Sequence, residues 1–69
     1  MNVAKLRGVM AEKGFTQKEL AKRLGWSERT LYLRLANGKF GTDEAQRIGD
    51  IMGIERQTLI DIFLPNKSL

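Results

Sequence analysis

With 69 residues, no cysteine and no histidine, the chain holds one domain at most, and disulfides, thiolate or imidazole metal sites and histidine acid–base chemistry are excluded. No apolar run approaches the roughly 18 residues of a membrane span, and the N-terminus lacks a signal-peptide apolar core, so a reduced, soluble, cytoplasmic protein without metal or cofactor is expected. The net charge of +4 is uneven, with nine basic against three acidic side chains in residues 1–40 and three against five in residues 41–69, which points one side of the molecule at a polyanion.

Apolar positions recur at helical spacing throughout, and no stretch alternates with period two. Val3, Leu6 and Met10 share a face of a first helix that ends at Gly14, and Gly8 inside it marks a close approach of a neighbouring backbone. A second helix starts at Thr16, whose hydroxyl caps it. Glu19 three residues on completes a capping box, and Phe15 with Leu20 forms a hydrophobic staple. Leu20, Ala21 and Leu24 make its inner stripe, and Gly25 stops it. The third helix, Ser27–Ala36, repeats this entry with Ser27 as cap and Trp26 with Leu31 as staple. Leu31 and Leu35 face inward, and Asn37-Gly38 ends the helix. Thr42 caps a fourth helix with Asp43 and Glu44 in its first turn. Ala45, Ile48 and Met52 form its buried stripe with Ile51 beside them, Gly49 is a second close-contact point, and Gly53 closes it. A last helix runs from about Glu55 to Leu64, anchored by Leu59, Ile62 and Phe63. The short loops predict an all-α, compact five-helix bundle over residues 1–65, with a frayed tail at 66–69.

Two short helices joined by a tight glycine turn make a helix-turn-helix. Its crossing point needs a small residue, supplied by Ala21. Its turn needs a positive φ, which Gly25 accepts without a Cβ penalty, and Leu31 supplies the buried residue six places later.

The run Thr16-Gln17-Lys18-Glu19-Leu20-Ala21-Lys22-Arg23-Leu24-Gly25-Trp26-Ser27, followed by Asn37-Gly38-Lys39, closely resembles the Cro/C1-type (XRE-like) helix-turn-helix family of phage repressors and regulators. The resemblance covers nearly the whole chain and implies a lambda-repressor-like five-helix DNA-binding domain, bacterial or phage-encoded. Two features depart from the family pattern. Arg34 stands where an apolar residue is usual, and Asn-Gly arrives one residue late. Leu35 restores a buried position within about 40° of Leu31 on an ideal helix.

In this geometry the third helix points its N-terminal residues at base edges in the major groove. Ser27, Glu28, Arg29, Tyr32 and Leu33 are the candidate base readers. Arg29 leads, because a guanidinium pairs bidentately with guanine O6 and N7. Glu28 either accepts from cytosine N4 or serves the helix dipole. Tyr32 or Leu33 lies against a thymine methyl group, with core or dimer contact as the other reading of Leu33. Gln17 corresponds to a family glutamine that contacts the DNA backbone, at a helix start where free amides suit phosphate. Asn37 and Lys39 resemble the family's phosphate-contacting loop, with Arg34 and Lys18 able to join them.

The partner these residues imply is double-stranded DNA, as a two-fold symmetric operator bound by a homodimer with half-sites about 34 Å apart. The Ile54–Leu64 stretch and Phe40 are the candidate dimer surfaces, with core filling as their other reading. A protein-interaction module that keeps the fold, or an antitoxin-like DNA binder, is the alternative. An enzyme is not expected: there is no glycine-rich phosphate loop, no carboxylate pair at catalytic spacing, and little chain to shape a pocket.

Overall fold

The computed structural model describes residues 1–65. Five helices follow in order: α1 (Val3–Lys13), α2 (Gln17–Leu24), α3 (Glu28–Asn37), α4 (Thr42–Met52) and α5 (Arg56–Phe63). The all-α helix-turn-helix bundle expected from the periodicity is the one observed. The expectation that the tail at 66–69 frays lies outside the described residues.

Local chemistry sets most of the boundaries. Thr16 Oγ1 accepts from the Glu19 amide at 3.0 Å, and Ser27 Oγ accepts from the Thr30 amide at 3.0 Å. These are the side-chain caps that satisfy otherwise orphaned donors of the first turn. Asn2 performs the same service for α1, accepting from the Lys5 amide at 3.0 Å, a cap the sequence reading passed over.

Three local expectations need correction. The Thr16 capping box is only half made, because the Glu19 carboxylate turns to Arg23 Nε at 2.8 Å instead of back to the helix start. An i,i+4 ion pair on the exposed side of α2 has won that carboxylate. The cap of α4 is Gly41 rather than Thr42, which is already helical. Here it is the Glu44 carboxylate that reaches back, accepting from the Gly41 amide at 2.8 Å.

Gly8 is the third. A Cβ there would meet nothing within 4 Å, whereas one on Gly49 would sit 2.9 Å from Leu59 Cδ2. Only Gly49 marks the close approach of two helices, α4 on α5. Gly8→Ala is therefore expected to raise stability by about 1 kcal/mol, the helix-propensity difference. Gly49→Ala should forfeit that gain, because Leu59 must move. Denaturant unfolding of both variants checks this; equal stabilisation by the two would refute the assignment of close contact to Gly49.

The core consists of Leu6, Val9 and Met10 from α1, Leu20, Ala21 and Leu24 from α2, Leu31 and Leu35 from α3, Ile48 and Met52 from α4, and Ile62 from α5. Helix α2 packs on α3 and α4, α4 packs on α5, and α5 returns to α1. A 2.6 Å bond from the Asn2 amide to the Ile62 carbonyl closes the circuit. Of the three anchors expected in α5, Ile62 is fully buried, while Leu59 and Phe63 are half-buried.

Candidate nucleic-acid interface

The turn between α2 and α3 is built as the sequence requires. Gly25 takes φ 79°, its amide donates to the Lys22 carbonyl at 3.2 Å, and the Trp26 amide donates to the Ala21 carbonyl at 2.9 Å. These bonds cap the last carbonyls of α2 while the chain turns. Arg47 of α4 adds another, its Nη2 donating to the Leu24 carbonyl at 2.8 Å. The end of α2 is thus held from both the turn and the neighbouring helix.

Burial splits α3 into two faces. Leu31 and Leu35 are buried at 0% and 1% exposure. At about 100° per residue, Glu28, Tyr32, Ala36, Arg29 and Leu33 fall within an arc of roughly 140° on another side, and all five are exposed. Tyr32 and Leu33 keep 56% and 43% of their surface in solvent. Among the described residues, Arg29 and Glu28 take part in no ion pair. Ser27 stands at the head of this face, but its hydroxyl is engaged twice, accepting from the Thr30 amide and donating to Thr30 Oγ1 at 2.9 Å. Its first duty is to start the helix.

The residues expected at phosphate are placed unevenly. Gln17 opens α2, half-buried, with its Oε1 3.5 Å from Arg7 Nη1. Lys18, Asn37 and Lys39 are exposed. Arg34 is not with them. It lies about 160° around the helix from Tyr32, and its guanidinium sits over the Trp26 ring, 4.9 Å from the centroid. Its Nη1 donates to Glu44 Oε1 at 2.6 Å. The guanidinium expected at phosphate is instead committed to Trp26 and Glu44, with 37% of its side chain still exposed. Glu44 is correspondingly held below the usual carboxylate range, first by the Arg34 bond and then by the Gly41 amide.

The role of Arg34 explains the departure at that position. Its guanidinium covers an aromatic where an apolar side chain is usual. A signal for this was present in the sequence. Phe15-Thr16-x-x-x-Leu20-x-x-Arg23 and Trp26-Ser27-x-x-x-Leu31-x-x-Arg34 are the same pattern eleven residues apart. In the first copy Arg23 likewise covers Phe15, at 5.4 Å. Each helix therefore carries an aromatic before its cap and an arginine two turns on that roofs it.

Comparison with protein families gives a match to the model described as bacterial regulatory protein, Fis family, over residues 5–37. That span covers most of α1, all of α2 and the turn, and α3 to its last residue. The chain carries a DNA-binding helix-turn-helix. Comparisons with curated proteins and with solved structures find no match. The matched family differs from the Cro/C1 type that the residues between Thr16 and Lys39 resemble; what the two have in common is the helix-turn-helix itself. No described helix is long and apolar enough to cross a membrane.

Trp26, in the turn before α3, stacks on Phe40 with centroids 6.2 Å apart, and Phe40 meets Phe63 edge-on at 5.8 Å. Of the two readings given for Phe40, its packing fits core filling: it is half-buried between two rings and lies against the core. The α5 stretch behaves differently. Ala45, Ile54, Leu59, Ile60, Phe63 and Leu64 line an open, largely apolar groove of about 640 Å³ between α4 and α5.

Proposed function

We propose that this protein is a Cro- or repressor-like transcriptional regulator that reads operator DNA by laying α3 in the major groove. The observation that carries the proposal is the bare face of α3. Tyr32 and Leu33 stay exposed beside Arg29, which joins no ion pair among the described residues. A cation flanked by exposed apolar groups suits a groove edge that offers both guanine acceptors and thymine methyls. Arg29 is the leading base reader, with Ser27, Glu28, Tyr32 and Leu33 around it. Gln17, Lys18, Asn37 and Lys39 bind phosphate and set the register.

Two copies act together in this reading, meeting through the α4–α5 groove. Its apolar lining and the exposed Leu64 support a second copy there, as does the small net charge of residues 41–69, three basic against five acidic side chains, which spares two like molecules the repulsion of their basic sides. Selection from random duplex DNA, with the salt dependence of the winners, tests the whole proposal. The expected result is a two-fold symmetric site with half-sites about one helical turn apart. An asymmetric short motif would refute the dimer and leave the reading helix. No enrichment would refute sequence reading and put the protein-interaction role forward.

A further inference from the structure

We infer that Arg34 is a positioning residue for DNA binding, pinning the backbone around Lys39 so that this lysine meets phosphate without first having to be ordered. The inference rests on the reading of Lys39 as a phosphate contact. Its basis is the way Arg34 brackets Lys39. The Arg34 carbonyl accepts from the Gly38 amide at 2.8 Å and from the Lys39 amide at 3.3 Å. Its Nη1 donates to the Lys39 carbonyl at 3.4 Å. The peptide groups on both sides of Lys39 are thus held by one residue.

Glu44 completes the arrangement. Its Oε1 accepts both from Arg34 and from the Gly41 amide, so the loop between α3 and α4 is fastened at its two ends to a single ion pair. Trp26 supports the guanidinium from below and stacks on Phe40, the residue that follows Lys39. Every backbone neighbour of Lys39 is therefore restrained while its ammonium stays exposed.

A surface ion pair by itself contributes little. This one differs in being bonded into the backbone of a loop whose disorder would otherwise be removed at a cost on binding. The role needs the arginine fork. A lysine at position 34 keeps the charge but lacks the planar fork that donates to both Glu44 and the Lys39 carbonyl from over the indole.

The test is a double-mutant cycle on a fluorescently labelled random-sequence duplex, with affinity followed against salt. Lys39→Ala should weaken binding and lower the salt slope by about one. Arg34→Lys, which preserves net charge, should weaken binding about three- to tenfold, in the range for ordering one loop. In the Lys39→Ala background the same substitution should cost almost nothing, because no phosphate contact remains to be positioned. Glu44→Gln should repeat that pattern, which guards against an Arg34 variant that merely disturbs Trp26. Losses that are equal in both backgrounds, or the absence of any loss from Arg34→Lys and Glu44→Gln, would overturn the inference while leaving Lys39 at phosphate. If Lys39→Ala itself changes neither affinity nor slope, the reading of the loop fails, and the inference with it.

Discussion

Leu31→Ala is expected to destabilise the protein by about 3 kcal/mol, the middle of the range for a buried leucine truncated in a close-packed core. Leu31 has no exposed surface. It is a residue through which α3 joins the core shared with Leu20, Ala21 and Leu24 of α2. At roughly 0.05–0.15 kcal/mol per residue, a chain of this size holds only about 3–10 kcal/mol of stability. The substitution therefore removes a large share of the total and should lower the midpoint of thermal unfolding by roughly 10–20 °C. Trp26, the single tryptophan, lies against the core under Arg34, so its fluorescence reports the transition directly. DNA binding should fall with the folded fraction and recover on cooling. A change below about 1 kcal/mol, less than any ordinary buried Leu→Ala, would show that α3 is not fastened through Leu31.

Arg29→Ala should do the reverse, leaving the fold alone and changing what is read. Arg29 is exposed and joins no ion pair among the described residues, so its loss should move stability by no more than about 0.5 kcal/mol. If its guanidinium pairs with a guanine edge, removing it costs about 1–3 kcal/mol of discrimination at that base pair. Parallel selections with wild-type and variant protein measure this position by position. The expected outcome is one base pair in each half-site relaxing toward equal use of all four bases, with neighbouring preferences kept. An unchanged preference at every position removes Arg29 from the readers. Together the two substitutions separate holding the helix from using it, because Leu31 and Arg29 lie about 160° apart on α3.

The parts of the molecule legible in the sequence are those governed by near neighbours. Thr16 and Ser27 cap helices because a hydroxyl reaches an amide three residues on, whatever the rest of the chain does. The left-handed turn at Gly25 is equally local. Leu20, Leu24, Leu31, Leu35 and Ile48 are buried because helical spacing gathers them on one stripe, and the exposed stripe of α3 follows from the same periodicity.

Competition between partners far apart in the chain is invisible to such reasoning. Glu19 and Glu44 are each three residues after a helix cap, yet one bonds to Arg23 and the other to both Gly41 and Arg34. The cation that draws Glu19 from its cap lies four residues along its own helix, whereas Arg34 arrives from α3 and leaves the Glu44 cap bond in place, so cap spacing alone does not decide the outcome. Gly8 and Gly49 are alike as mid-helix glycines, and only the packing of α5 on α4 sets them apart. Arg34 is the case with the most consequence for function. Its type and its place in a basic segment suggested phosphate, but Trp26 and Glu44 converge on its guanidinium once the bundle closes. Helix positions, turns and the exposed face of α3 therefore come from local sequence, because the forces that set them act within a turn or two. The placing of charged side chains and the α4–α5 groove come from the assembled bundle, because long flexible groups settle wherever distant elements supply a partner or leave a gap.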